Sequence, residues 1–134
     1  MDLQDRIDAF LGGQPHAVVG ASTDRSKYGN KVLRAYLQAD RQVYAVHPTA
    51  IEIEGLPVYP ALASIPGIVH GISIITPPPI TEQIVAEAGA LNIKNLWIQP
   101  GAENEQAIAL AHSYQMNLIA GGDCLLVALG FRDI

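Results

Sequence analysis

Pro15-His16-Ala17-Val18-Val19-Gly20, running on into Ala21-Ser22-Thr23, is the stretch on which the fold turns. The run is short, apolar and stopped by a glycine, as a strand buried on both faces of a parallel sheet requires. Upstream, Leu3, Ile7, Phe10 and Leu11 recur at helical spacing and Gly12-Gly13 ends the pattern, so a short helix over residues 2–12 precedes the strand. Downstream, Val32, Leu33, Tyr36 and Leu37 form one apolar face of a helix from about Tyr28 to Ala39.

The same alternation continues. Val43-Tyr44-Ala45-Val46 is the second strand, closed by His47-Pro48. An irregular stretch with the turn-like Glu54-Gly55-Leu56-Pro57 follows. Gly71 to Ile75 is the third strand, and Pro77-Pro78-Pro79 blocks its continuation while leaving proline in the first turn of the next helix. Leu96-Trp97-Ile98 is the fourth, ending at Gln99-Pro100-Gly101, and a helix over about 103–114 leads to the last, Asn117 to Ala120. Strands separated by crossovers of this length predict one α/β domain over residues 1–134: a doubly wound, Rossmann-like parallel sheet of five strands, helices on both faces, in three αβα layers. In such sheets a ligand lies outside the carboxyl ends of the strands, near the point where strand order reverses.

Composition narrows the function classes. A chain of 134 residues with 49% apolar content can build a core without disulfides, and the single Cys124 rules out an internal disulfide framework. The start, MDLQDRIDAF, is acidic and polar where a secretory signal is basic and then apolar, which predicts a cytoplasmic protein. The longest apolar stretches are about half a bilayer span, so no membrane partner is expected. A net charge of -5 argues against a general nucleic-acid binder, which needs clustered cations. Arg25, Lys27, Lys31 and Arg34 do gather in one segment, a pattern suited to a small anion rather than a polymer.

Gly20-Ala21-Ser22-Thr23 joins the first strand to its helix, where free backbone N–H groups and the helix dipole favour a phosphate. Arg25 and Lys27 add charge there, while Lys31 and Arg34, further along the helix, are expected to be solvated. The loop is not a full G-x-G-x-x-G fingerprint, since Gly20 and Gly29 are separated by an insertion. The acidic residue that holds a ribose diol in NAD-binding domains is absent after the second strand, where His47-Pro48-Thr49 stands.

Taken in order, VVGAS at 18–22, AVHP at 45–48, EGLPVYPALASIP at 54–66, ITPPP at 75–79, LWIQPGAENEQA at 96–107 and GGDC at 121–124 resemble the CoA-binding-domain family. That family comprises small stand-alone proteins related to the N-terminal domain of the succinyl-CoA synthetase α subunit. The resemblance implies coenzyme A over the first loop, with Gly20, Ala21, Ser22 and Thr23 near the pyrophosphate and Arg25, Lys27 and Tyr28 in the variable basic part. It implies His47 and Pro48 beside the adenosine, and Thr76, Pro77 and Pro78 with Gln99, Pro100 and Gly101 along the ribose and pantetheine. The segment PTAIEIEG lacks the lysine-bearing glycine-rich stretch of the synthetase, which leaves the 3′-phosphate either to Arg25 and Lys27 or only weakly held.

The resemblance thus implies a CoA or acyl-CoA carrier or sensor without catalysis of its own. An NAD(P)-binding redox sensor and the CoA-binding subunit of a split acyl-CoA synthetase are the alternatives. A homodimer or a separate catalytic subunit are the partners left open. Cys124 reads either as a small buried hydrophobe or as a thiol that forms a mixed disulfide with CoA. His16, His70 and His112 read as structural, and no cluster has metal-ligand spacing.

Overall fold

The computed structural model describes residues 2–134. Its elements run in the order α1 (Leu3–Leu11), β1 (His16–Val19), α2 (Tyr28–Gln38), β2 (Val43–Val46), β3 (Glu52–Ile53), β4 (Leu56–Tyr59), β5 (Gly71–Ile74), α3 (Pro78–Ala90), β6 (Asn95–Ile98), α4 (Glu105–Ser113), β7 (Asn117–Ile119) and α5 (Leu125–Ala128), with a 3-10 turn at Leu62–Ser64 between β4 and β5. No helix of the described residues is long and apolar enough to cross a membrane.

The sheet has seven strands in the order β3-β4-β2-β1-β5-β6-β7, parallel except for the antiparallel β3–β4 pair. The expected count of five is therefore corrected to seven. The two additional strands form a hairpin from the stretch read as irregular, and Pro57 is what concealed it. Proline cannot donate to a central ladder, but the pairing of β4 with β2 begins one residue later, at Ala45 and Val58. Glu54 and Gly55, at φ 50° and 81°, form the tight turn between Ile53 and Leu56, the two left-handed positions of a type I′ turn.

The central strands are buried almost throughout, and successive side chains alternate between two faces of the sheet, which divides the core in two. Ala17, Val19, Ile72, Ile74, Leu96 and Ile98 pack against Val85 and Ala88 of α3 and Ala107 and Ala111 of α4. Val18, Ala45, Trp97 and Ile119 pack on the other side against Phe10 of α1, Val32, Leu33 and Tyr36 of α2 and Leu125 of α5. Each large side chain so removed from water contributes about 1.5–3 kcal/mol. Helices therefore cover both faces, and strand order reverses between β1 and β5. The chain leaves β1 for β2 on one side and returns through β5 to the other.

One polar chain crosses this core. His16 Nδ1 lies 2.8 Å from the Tyr36 hydroxyl, which lies 2.8 Å from Ser73 Oγ, with all three residues fully buried. Burial, helped by the nearby Arg41 and His70 charges, holds the His16 imidazole down at about 4, so it is neutral in the folded state.

Candidate functional site

The β1/β5 reversal places two helix starts next to each other at the carboxyl ends of neighbouring strands. A cleft of about 600 Å³ opens between them, lined on one side by Gly20, Ala21, Ser22, Lys27, Tyr28 and Gly29 and on the other by Ile75, Thr76, Pro77 and Ile80. His47 and Pro48, at the end of β2, close it above. A second arm of about 350 Å³ shares Gly20, His47, Pro48, Thr76 and Ile80, and continues over Val46, Leu62 and Ile84 toward the 3-10 turn.

The first loop leaves β1 through Gly20 at φ 94°, where a Cβ would come within 1.8 Å of the Ile75 carbonyl. The carbonyl of Gly20 in turn lies 2.0 Å from where a Cβ of Gly29 would stand. Both glycines let the loop press between α2 and β5 so that its backbone faces the cleft. Helix α2 begins at Lys27 without a side-chain cap, whereas Asn104 caps α4 by accepting from the Ala107 N–H at 2.8 Å. An uncapped start leaves backbone donors and the positive dipole end directed outward. Lys27 adds a full charge beside them.

Behind the loop, its carbonyls are held from the rear. Asn30 Nδ2 donates to the Ser22 carbonyl at 2.9 Å, and Arg34 Nη2 donates to the Arg25 carbonyl at 2.9 Å. Because a trans peptide sets N–H and C=O on opposite sides, the Thr23 N–H is turned away from Asn30. Asp24 fixes the tip, accepting from the Ser26 N–H at 2.9 Å and from its hydroxyl at 2.7 Å, bonds that hold its carboxyl below the usual range.

Across the cleft the start of α3 is different in kind. Pro77 occupies the N-cap and Pro78 follows at the first helical position, so the prolines there have no N–H to offer. The Thr76 hydroxyl is occupied by Thr81 Oγ1 at 2.7 Å. This wall is apolar. His47 Nδ1 accepts from the Thr49 and Ala50 N–H groups at 3.1 and 2.9 Å, which places the ring proton on Nε2 as a donor.

Of the residues singled out from the sequence, the cleft brings together Gly20, Ala21, Ser22, Lys27, Tyr28, His47, Pro48, Thr76 and Pro77. Thr23, Arg25, Pro78, Gln99, Pro100 and Gly101 do not line it. Arg25 pairs with Glu54 and donates to the Ile134 carbonyl at 3.2 Å. Gln99 is fully buried, its Oε1 accepting from the Leu125 N–H at 3.0 Å and from the Tyr28 hydroxyl at 3.3 Å. Pro100 and Gly101 are exposed, with the Gly101 N–H donating to Glu103 Oε2 at 3.0 Å. Arg34, expected to be solvated, is buried at 5% exposure. It is held by Asn30, the Asp133 carboxylate at 3.0 Å and the Phe131 ring at 5.1 Å.

Cys124 is half-buried and hydrogen-bonds the Tyr28 hydroxyl. It lines a separate groove of about 430 Å³ between α1 and α5, with Ile7, Leu11, Trp97 and Val127. Tyr28 thus stands between the groove and the cleft. Burial, and then the Cys124 contact, push its phenol well above its usual range. Sequence reading missed Ile75 and Ile80 of the apolar wall; the tripeptide Pro77-Pro78-Pro79 marked their position, because a donorless helix start exposes its flanking side chains.

These features define a class: a doubly wound α/β domain whose cleft, at the carboxyl ends of the strands, has a donor-rich helix start on one side and an apolar helix start on the other. Comparison with known proteins makes it specific. Residues 15–130 match the family described as a CoA binding domain, and the chain belongs to that family. It is 28% identical over 130 residues to the alpha subunit of the ADP-forming acetate–CoA ligase II of Pyrococcus furiosus, covering 89% of this chain and 28% of that protein. It is 29% identical over 119 residues to the ADP-forming acetate–CoA ligase I of Archaeoglobus fulgidus, covering 81% of this chain and 17% of that protein. The chain therefore spans less than a third of either relative.

Among solved structures, a conserved hypothetical protein from Pyrococcus furiosus superposes with a TM-score of 0.81 at 34% identity, covering 87% of this chain and 99% of that one. The apo form of the dinucleotide-forming acetyl-coenzyme A synthetase 1 of Ca. Korarchaeum cryptofilum superposes at 0.70 with 30% identity, covering 83% of this chain and 27% of that one.

Proposed function

We propose that this chain binds coenzyme A, free or acylated, in the cleft between the ends of β1 and β5. The observation that carries the reading is the uncapped start of α2, flanked by Gly20, Ser22 and Lys27 and facing the wall of Ile75, Pro77 and Ile80. An anionic ligand with an apolar arm suits that division: backbone donors and Lys27 serve the pyrophosphate, and the donorless wall serves the uncharged arm. His47 Nε2–H offers one donor at the far end, beside the second arm of the cleft, where adenosine fits. CoA supplies the thiol that carries an acyl group; the residues of this chain orient it and shield it.

A role as the CoA-binding part of a two-component ligase is the second reading, supported by the similarity to a protein named as the alpha subunit of such an enzyme. In that reading a separate chain carries the chemistry. An NAD-type ligand is disfavoured by His47 at the position where a diol-binding carboxylate is needed.

Calorimetric titration with CoA, dephospho-CoA, NAD and NADP tests the proposal. The expected result is micromolar binding of CoA, about 8 kcal/mol, with NAD and NADP at least tenfold weaker. Binding of NAD or NADP in preference to CoA would overturn it.

A further inference from the structure

The tip of the β3–β4 hairpin reaches the first loop through one side chain. Glu54 holds a left-handed backbone at φ 50°, which a residue other than glycine adopts at some expense unless its contacts hold it there. Oε2 of Glu54 accepts from Asn30 Nδ2 at 3.1 Å, and Oε1 pairs with the Arg25 guanidinium. Asn30 first and Arg25 next keep the carboxyl below its usual range, so it is ionised.

The two partners differ in freedom. Asn30 is fully buried, and it also holds Ser22 and Arg34. The Arg25 side chain is 53% exposed, against 18% for Glu54. Arg25 lies between Ser22 and Lys27, both of which line the cleft, and its own carbonyl is fixed by Arg34. Its guanidinium also donates to the carbonyl of the exposed Ile134 at 3.2 Å, and the side chain can leave both partners for the cleft mouth while the loop stays in place.

We infer that Glu54 is a specificity-determining residue, a built-in carboxylate that competes with a ligand's terminal phosphate monoester for Arg25. The inference rests on the CoA reading above. A ligand with a phosphate monoester beyond its pyrophosphate draws Arg25 away from Glu54, whereas one lacking that group leaves the pair closed. The pair thereby lowers the advantage of the phosphorylated ligand below what Arg25 alone would give.

The test compares CoA with dephospho-CoA by calorimetry on the full chain. Glu54→Gln keeps an oxygen for Asn30 and removes the charge that holds Arg25. It is expected to raise the preference for CoA over dephospho-CoA roughly threefold. In Arg25→Gln the preference falls, and adding Glu54→Gln leaves it unchanged, because the competition needs both partners. Equal strengthening of both ligands by Glu54→Gln would reveal a general charge effect and overturn the inference; so would no change, or a loss confined to CoA. Glu54→Asp, which tolerates the left-handed backbone and retracts the carboxylate, gives the same readout should the glutamine variant not fold. If the wild-type chain binds neither ligand, the CoA reading fails; if it binds both while the variants leave the preference unmoved, only this inference fails.

Discussion

Helices α2 and α3 begin side by side at the ends of adjacent strands, and the two starts have opposite chemistry. At α2 the cap position is Lys27, with no side chain covering the first-turn donors, and the preceding loop turns its Ser22 and Arg25 carbonyls backward onto Asn30 and Arg34. At α3 the prolines have removed the donors and Thr81 occupies the Thr76 hydroxyl. Both helices carry the same dipole. The difference teaches that a helix start becomes an anion site through what is left uncapped and how the loop before it is turned, and the dipole alone does not decide it.

The largest effect is expected where the two starts touch. Gly20→Ala puts a Cβ within 1.8 Å of the Ile75 carbonyl on a backbone at φ 94°, which should cost about 3 kcal/mol or more in urea unfolding. A loss below about 1 kcal/mol would mean the contact between the two loops is slack.

Next comes acid, which acts at the opposite end of β1 and so separates fold from cleft. His16 is neutral when folded, with its pKa lowered from 6.5 to about 4. Between those values the unfolded chain binds more protons than the folded one. Stability from this group is therefore full above pH 6.5 and falls as pH drops toward 4, by on the order of 3 kcal/mol. Unfolding curves at pH 7.5 and 4.5 measure it, and His16→Asn should flatten the dependence; an unchanged slope in that variant would assign the loss to carboxylates.

A smaller effect distinguishes the two walls directly. Lys27→Ala should weaken CoA by roughly fivefold at low salt, shrinking as salt rises, because a partly exposed charge is screened. Ile80→Ala should weaken it by roughly threefold at every salt concentration, because apolar burial is not screened. Identical salt dependence in both would erase the division between a polar and an apolar side. Smallest of all, Pro77→Ser puts a hydroxyl and an N–H into the apolar wall and should weaken CoA by roughly twofold in the same titration, again without salt dependence.

Much of this was legible in the sequence, for identifiable reasons. The five strands β1, β2, β5, β6 and β7 are legible as apolar runs stopped by Gly or Pro, and the family resemblance rests on loops that the sheet gathers at one end. The hairpin was hidden because Pro57 reads as a strand breaker until the register shows that it precedes the pairing of β4 with β2. Cleft membership was legible for residues adjacent to strand ends, such as Ser22, His47 and Thr76. Arg25, whose partner Glu54 is 29 residues away, and Gln99, which turns inward to Leu125 and Tyr28, lie outside the cleft's lining. Such pairings depend on tertiary approach, which no local pattern encodes. Arg34 was misread for the same reason: its burial depends on Phe131 and Asp133 returning from the far end of the chain.

The backward-facing carbonyls of the first loop also bear on time. A loop anchored by Asn30 and Arg34 has little conformational freedom left to lose when a phosphate arrives. Encounter then need not wait for a rare backbone arrangement, so diffusion and charge set how fast a ligand enters, and differences in affinity among ligands are expressed in how long each one stays.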